Sequence, residues 1–346
     1  MISDNVSMKD VALRAGVSTA TVSHVINNTS NVKQETRKLV NNAISELNYK
    51  INPIARKLRA GQSKIVAFLV SNMTHYFYHE IGAAIENVLY EHGYNVFYIN
   101  TQEDSKKELA QLELCKSEVF AGLIITAVNT DWSQLAQLVN NIPVVFVDRK
   151  PLHIRRDNVL ITNTLSGFNL TNEVISRGAK KIAFISSKYD LTIQTRVDGF
   201  KDSLEQHNIP LDEDCIIFGT TRPKLYSELA MDPEWSEIIS FLINEKKVDS
   251  IVCGNDLSAF GAITYFSKHN IKLQEDIIFG TFDNAFWMSN LDEEVIAVEQ
   301  NTKALGEKAA KLLLSRIEKN TFVYGDYLID TQIVSINKTK KRVLQS

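Results

Sequence analysis

Apolar positions near the amino terminus recur at helical spacing. Met8, Val11, Ala12 and Ala15 fall at i, i+3, i+4 and i+7 and predict a short first helix with one inward stripe. Gly16 suits a tight turn, where a positive φ costs it nothing, and Ser18 suits the N-cap of a second helix. On that helix Val22, Val25 and Ile26 share one face. At about 100° per residue, Thr19, Ala20, Ser23, His24 and Asn27 fall on the other. Leu39, Val40, Ala43, Ile44 and Leu47 outline a third amphipathic segment. Three such helices, the first two separated by a short turn, predict a helix-turn-helix unit over residues 1–50.

From about residue 63 the pattern changes. Short apolar runs alternate with amphipathic stretches: KIVAFLV (64–70), YNVFYIN (94–100), GLIITAV (122–128), PVVFVD (143–148), KIAFIS (181–186), SIVCGN (250–255), DIIFGTFD (276–283) and VIAVEQ (295–300). Between them lie helical patterns such as 81–90, 165–175, 196–204, 259–266 and 305–314. This alternation predicts parallel sheets with helices on both faces. The stretch 63–346 is long for one sheet, so two α/β subdomains are expected. The expected fold is therefore a small all-α head plus an α/β body of two doubly wound parallel-sheet subdomains. The NKTKKR stretch near the carboxyl end is expected to be a solvated basic tail.

Net charge becomes informative once divided. Residues 1–63 carry nine basic and four acidic side chains, whereas the rest carries 29 basic and 37 acidic. A basic head on an acidic body points to a polyanion as the head's partner. The second helix of a helix-turn-helix lies in the DNA major groove. Thr19 and His24 can bond base edges and Ala20 can touch a thymine methyl. Ser23 and Asn27 can reach phosphates, and Ser18 starts the helix beside them. The alternative is a small bundle with an ordinary solvated face. The three cysteines, Cys115, Cys215 and Cys253, fit no close-spaced metal or redox motif and read as free thiols in a reducing compartment. With no basic, apolar leader and no apolar run near the roughly 20 residues of a membrane span, a cytoplasmic location is expected. No cofactor or metal is expected.

Between head and body, Pro53 can open a short helix and Gly61 can stop it. The six residues 54–59 are too few to be helical alone in water, so 51–62 reads as a hinge or a basic linker. In open α/β sheets ligands bind beyond the carboxyl ends of strands. Just past the runs stand Asn72, His75 and Phe77; Asp148 and Arg149; Arg196; Asn255 and Asp256; Asp283, Asn284 and Trp287; and Gln300. Carboxylates, amides and Arg can chelate neighbouring hydroxyls, and aromatic faces can cover C–H surface, which suits a sugar. The alternatives are helix caps for Asp148 and Asp256, core for Phe77 and Trp287, and a structural ion pair for Arg196.

The segments DVALRAGVSTATVSHVIN, NVKQETRKLVNNAISELNY and NPIARKLRAG resemble the N-terminal signature of the LacI family of bacterial transcription regulators. HEIGAAIENVLYEHGYNVFYIN, PVVFVDR, RGAKKIAFIS, TRVDGF, CGNDLSAFGA, GTFDN and ALGEKAAKLLLSRI resemble that family's regulatory core, which is similar to periplasmic sugar-binding proteins. The resemblance implies base reading by Thr19, Ala20 and His24. It also implies a hinge helix that orders on DNA, with Leu58 wedged in the minor groove, Ala55 at a close helix contact and Arg56 on the backbone. It places effector contacts at Arg196, Asn255 and Asp283, then Asp148 and Phe77. It divides the body into about 63–162 plus 294–324 and about 163–293 plus 325–346. Asn72, His75, Tyr76 and Asn163 depart from the family pattern around the ligand. The function implied is a homodimeric repressor of carbohydrate-utilisation genes, bound to palindromic operator DNA and controlled by a sugar or sugar phosphate in the interlobe cleft. Alternatives are a corepressor- or partner-protein-dependent regulator, a sugar-binding module without DNA function, and a sugar-active enzyme with Asp148 and Asp283 as paired carboxylates. No phosphate-cradling loop or nucleophile elbow supports the last.

Overall fold

A computed structural model describes residues 6–27, 32–49, 63–117, 120–188, 190–219, 225–319, 323–337 and 339–344. The chain divides into two units, Met1–Ser63 and Lys64–Ser346. The hinge positions Ala55, Arg56 and Leu58 lie outside the described residues.

The first unit contains α1 (Met8–Ala15), α2 (Thr19–Asn27) and α3 (Gln34–Glu46). Ser7 and Asp10 cap α1 reciprocally: the Ser7 N–H donates to Asp10 Oδ2 at 2.7 Å and the Asp10 N–H to Ser7 Oγ at 3.4 Å. Gly16, at φ 68°, closes the helix in the left-handed region. Ser18 Oγ accepts from the Thr21 N–H at 3.1 Å and so starts α2. Val11, Ala12, Val22, Val25, Val40 and Ala43 form the buried centre, with Met8, Ile26 and Leu47 packed around it.

The second unit holds two sheets. In the first, β1 (Ile65–Val70), β2 (Asn95–Asn100), β3 (Gly122–Ile125), β4 (Val144–Val147), β5 (Asp157–Ile161) and β11 (Asp326–Ile329) run parallel in the order β11-β5-β4-β3-β1-β2. In the second, β6 (Ile182–Ser186), β7 (Ile216–Phe218), β8 (Ser250–Cys253), β9 (Ile278–Phe282) and β10 (Val295–Gln300) are parallel. The antiparallel β12 (Thr331–Asn337) and β13 (Lys340–Val343) continue that sheet beyond β10. Each sheet therefore reverses its order beside its first strand, β1 or β6, and a crevice opens there at the carboxyl ends. α4 (Tyr76–Glu91) and α11 (Thr302–Lys319) cover one face of the first sheet. On the other, behind α5 (Ser105–Ser117), Trp132 meets Phe146 edge-on. α6 (Asn163–Ser176) and α7 (Leu191–Gln206) cover one face of the second sheet. α8 (Tyr226–Leu229), α9 (Pro233–Ser240) and α10 (Asp256–His269) lie with Trp235 and Phe266 on the other. The three cysteines are buried free thiols. Among the described residues no helix is long and apolar enough to cross a membrane.

Two expectations need correction. The chain passes between lobes at Thr162, Asn301 and Asp330, not at 294 and 325. The run VIAVEQ is β10, between β9 and β12 in the second sheet, and β11 is the half-exposed edge of the first sheet, beside β5. An apolar run shows that a strand is buried but not which sheet accepts it. NKTKKR is also no tail: Asn337 ends β12, Lys340, Lys341 and Arg342 belong to β13, and the two strands pair antiparallel.

α6 and α7 meet backbone to backbone. A Cβ on Gly199 would stand 2.0 Å from the Thr164 carbonyl oxygen, and one on Gly167 would stand 2.4 Å from that of Arg196. Neither neighbour is a movable side-chain tip, so the two glycines fix the distance between Asn163 and Arg196. Gly199→Ala is expected to lower stability by about 1–3 kcal/mol, the usual cost of overpacking. Urea unfolding would show it, and an unchanged midpoint would refute the tight helix contact.

Candidate functional site

In the head, Ser18, Thr19, Ala20 and His24 are exposed along α2 and Ser23 is half-buried, while Val22 and Val25 point into the bundle. Burial thus divides the helix as the spacing predicts. Asn27 ends α2, and its side chain is outside the described residues. Small side chains at the start of an exposed helix permit close approach to a groove.

In the body, strand ends from both lobes converge. Phe77, Asp148, Arg196, Asn255 and Asp283, all singled out from the sequence, line one narrow space of about 40 Å³ with His75, Tyr78, Arg149 and Gln300. Asp148 follows β4 and Asp283 follows β9, the corresponding strands of the two sheets. Both hold left-handed backbone, at φ 69° and 70°. Non-glycine residues rarely adopt that region, and it concentrates at functional sites. Tyr78 donates its hydroxyl to Asp148 Oδ2 at 2.8 Å. Arg196 Nε donates to Asn163 Oδ1 at 2.8 Å and its Nη1 to the Gly254 carbonyl at 2.7 Å. Its guanidinium lies 4.1 Å from the Phe282 ring centre. Asn255 caps α10 through Ser258 and donates to Ser187 Oγ at 2.6 Å. Asp283 accepts from the Gln300 side-chain amide and from the Asp256 N–H at 3.2 Å.

Trp287 is not among the residues lining this space. It packs edge-on to Phe260, 5.4 Å between ring centres, against the apolar core of the second lobe. A Trp one turn past a strand end can equally serve the core, and here the aromatic cluster with Tyr226 and Phe260 claims it.

Ion pairs join the lobes across the cleft. From the first lobe, Glu103 accepts from Arg149 through both oxygens at 2.8 Å. From the second, Lys188 reaches Glu103 at 2.8 Å and Asp190 at 2.9 Å. His75 Nδ1 stands 3.0 Å from Asp256 Oδ1, a second link between lobes. Burial alone would raise the Glu103 carboxyl, but Arg149 and Lys188 hold it well below the usual carboxylate range. Asp190 is likewise held at about 2, against burial, by Lys188 and Arg149. Burial opposes charge on His75, yet the Asp256 carboxylate outweighs it and raises the imidazole. The sequence reading missed Glu103, Lys188 and Asp190 although the last two lie just past KIAFIS. The strand-end rule finds them when the residues between a strand and its following helix are all taken.

Asp283 is pushed up to about 6, first by burial and then by the neighbouring Asp256 carboxylate. A carboxyl raised in the folded state costs stability when it ionises. From this group alone, stability is greatest below its ordinary range near 4 and declines as pH rises through about 6. Asp283→Asn should gain stability relative to the parent between pH 5 and 7.5, by an amount on the order of 2 kcal/mol. Thermal midpoints across that range would test it; a constant difference would contradict it.

Residues 7–52 match the family model described as bacterial regulatory proteins, lacI family. Residues 63–339 match that of periplasmic binding proteins and the sugar binding domain of the LacI family. The chain is 29% identical over 340 residues to the HTH-type transcriptional repressor PurR of Mannheimia succiniciproducens, covering 97% of this chain and 99% of that protein. Among solved structures it resembles the lac repressor dimer bound to operator and the anti-inducer ONPF, with a TM-score of 0.73, 22% identity and coverage of 99% and 100%. It also resembles a CelR–cellobiose complex, with a TM-score of 0.68, 22% identity and coverage of 95% and 98%.

Proposed function

Because this chain belongs to the LacI family of bacterial regulatory proteins, we propose that it is a cytoplasmic, homodimeric repressor of carbohydrate-utilisation genes whose grip on a palindromic operator is set by a sugar or sugar phosphate in the interlobe cleft. The observation that carries the reading is the convergence of Asp148, Arg196, Asn255 and Asp283 from strand ends and helix starts of both lobes on one small polar space. Carboxylates and an amide from opposite sides can chelate a polyol only when the lobes close on it, so the ligand distinguishes lobe arrangements, as coupling requires.

The head supplies the DNA function. Thr19, Ala20 and His24 read base edges, and Ser18, Ser23 and Asn27 approach phosphates. Ala55, Arg56 and Leu58 form the hinge contact, with Leu58 unstacking a base step. Two copies pair through their bodies and present two heads to two half-sites. The β2 edge, with Phe97 and Tyr98 exposed, offers the kind of open strand that a second copy covers. Asp148 and Asp283 serve as acceptors held by Tyr78 and Gln300 rather than as an acid–base pair, which favours binding over catalysis. The CelR structure that this chain resembles is a cellobiose complex. The polar set here, two carboxylates with an amide and a guanidinium, favours the many hydroxyls of a sugar over a flat base.

Selection from a random palindromic library, followed by gel-shift titration, tests the DNA function. The expected result is a preferred palindrome bound at least about a thousandfold tighter than random duplex. Equal affinity for both would reduce the protein to a ligand-binding module.

A further inference from the structure

We infer that the cleft takes an uncharged glycoside longer than one sugar ring, with one hydroxyl-bearing end at Asp148, Arg196, Asn255 and Asp283 and its bulk in an adjoining carboxylate-lined cavity. This rests on the sugar-effector reading above and narrows it.

The first argument is charge. The cleft cations are already committed. Arg149 holds both oxygens of Glu103, and Lys188 bridges Glu103 and Asp190. Arg196 commits two of its nitrogens to Asn163 and the Gly254 carbonyl and acts electrostatically on Asp283. The His75–Asp256 pair is neutral as a whole. A phosphate entering here finds only the remaining N–H groups of Arg196, because drawing Arg149 or Lys188 from their buried carboxylates would leave those uncompensated, which is costly. A neutral ring needs only donors and acceptors, which the cleft retains.

The second argument is space. A cavity of about 690 Å³ shares Phe77, Asp283 and Gln300 with the cleft, so the two adjoin at these side chains. That volume lies within the roughly 300–1,000 Å³ of small-molecule sites. Its walls carry Glu80, Glu299, Asp330, Asp256 and Asp283 against one cation, Lys303, which stands 3.9 Å from Glu307. Carboxylates accept hydroxyl donors and repel phosphate. At the junction, Gln300 donates its amide N–H to Asp283, while its buried Oε1 has no partner. That acceptor is placed for a hydroxyl of a ligand spanning both spaces.

Calorimetry on the full-length protein tests this with glucose, galactose, cellobiose, maltose, sucrose, glucose 6-phosphate and the 6-phosphorylated disaccharides. One neutral disaccharide should bind at least tenfold tighter than its component monosaccharide and at least a hundredfold tighter than its own 6-phosphate. The double variant Glu299→Gln/Asp330→Asn should narrow the second gap about tenfold. A phosphorylated sugar that binds tighter than its neutral parent overturns the inference and leaves the sugar-effector reading standing. So does a monosaccharide that matches the disaccharide. Binding of none of these sugars, under conditions where operator binding persists, overturns both.

Discussion

Arg196→Ala should raise the effector concentration needed for half-maximal release of operator at least a hundredfold, while operator affinity without effector stays within about twofold. The guanidinium is buried in the second lobe where it lines the cleft, and it is aligned by Asn163 and the Gly254 carbonyl. Two charge-assisted hydrogen bonds to effector hydroxyls, at roughly 1.5–3 kcal/mol each, would be lost. The head contains no part of this site, so its contacts with DNA should persist. Truncation also leaves Asn163 and Gly254 without their donors, which lowers stability. Arg196→Lys serves beside it because Lys keeps the charge but not the planar fork. If the fork orients the sugar, the Lys variant should also lose at least about tenfold in calorimetric affinity while remaining folded. A Lys variant with parental effector affinity would remove Arg196 from the ligand.

His24→Arg should change which base is preferred at one position of each operator half-site. His24 lies on the exposed face of α2, five residues beyond its first residue, Thr19. Arg is longer, permanently charged and able to bond guanine through two atoms, an interaction worth about 1–3 kcal/mol of discrimination. Binding-site selection with both proteins should show a change of up to about a hundredfold confined to one symmetric pair of positions. Identical preferences would show that His24 does not read bases.

Much of this organisation is legible in the sequence, and the reasons differ by element. α1 and α2 are marked locally: Gly16 and Ser18 are a turn and a cap whose chemistry acts within a few residues. The strands are legible because both faces of a parallel sheet are buried, which makes short continuous apolar runs. Asp148, Arg196, Asn255 and Asp283 are legible because ligands collect at strand ends. Sheet membership is not local, so an apolar run does not show that β10 belongs to the second lobe or β11 to the first. The fate of Trp287 depends on Phe260, a partner on α10 that periodicity does not identify. The Glu103–Lys188 contact joins residues 85 apart in the chain, and charge spacing along the sequence does not show such a pair.

Occupancy of the cleft and the head's hold on DNA are expected to form one linked equilibrium. Linkage is reciprocal: a ligand that changes operator affinity by some factor must have its own affinity changed by the same factor when operator is bound. The direct measurement is the dissociation constant of the tightest-binding sugar, taken with and without saturating selected operator duplex. It is to be compared with the operator constant taken with and without saturating sugar. Equal factors of about 5–150 are expected in both directions, the range of a coupling of about 1–3 kcal/mol. A sugar constant that does not move when operator is added would contradict the linkage.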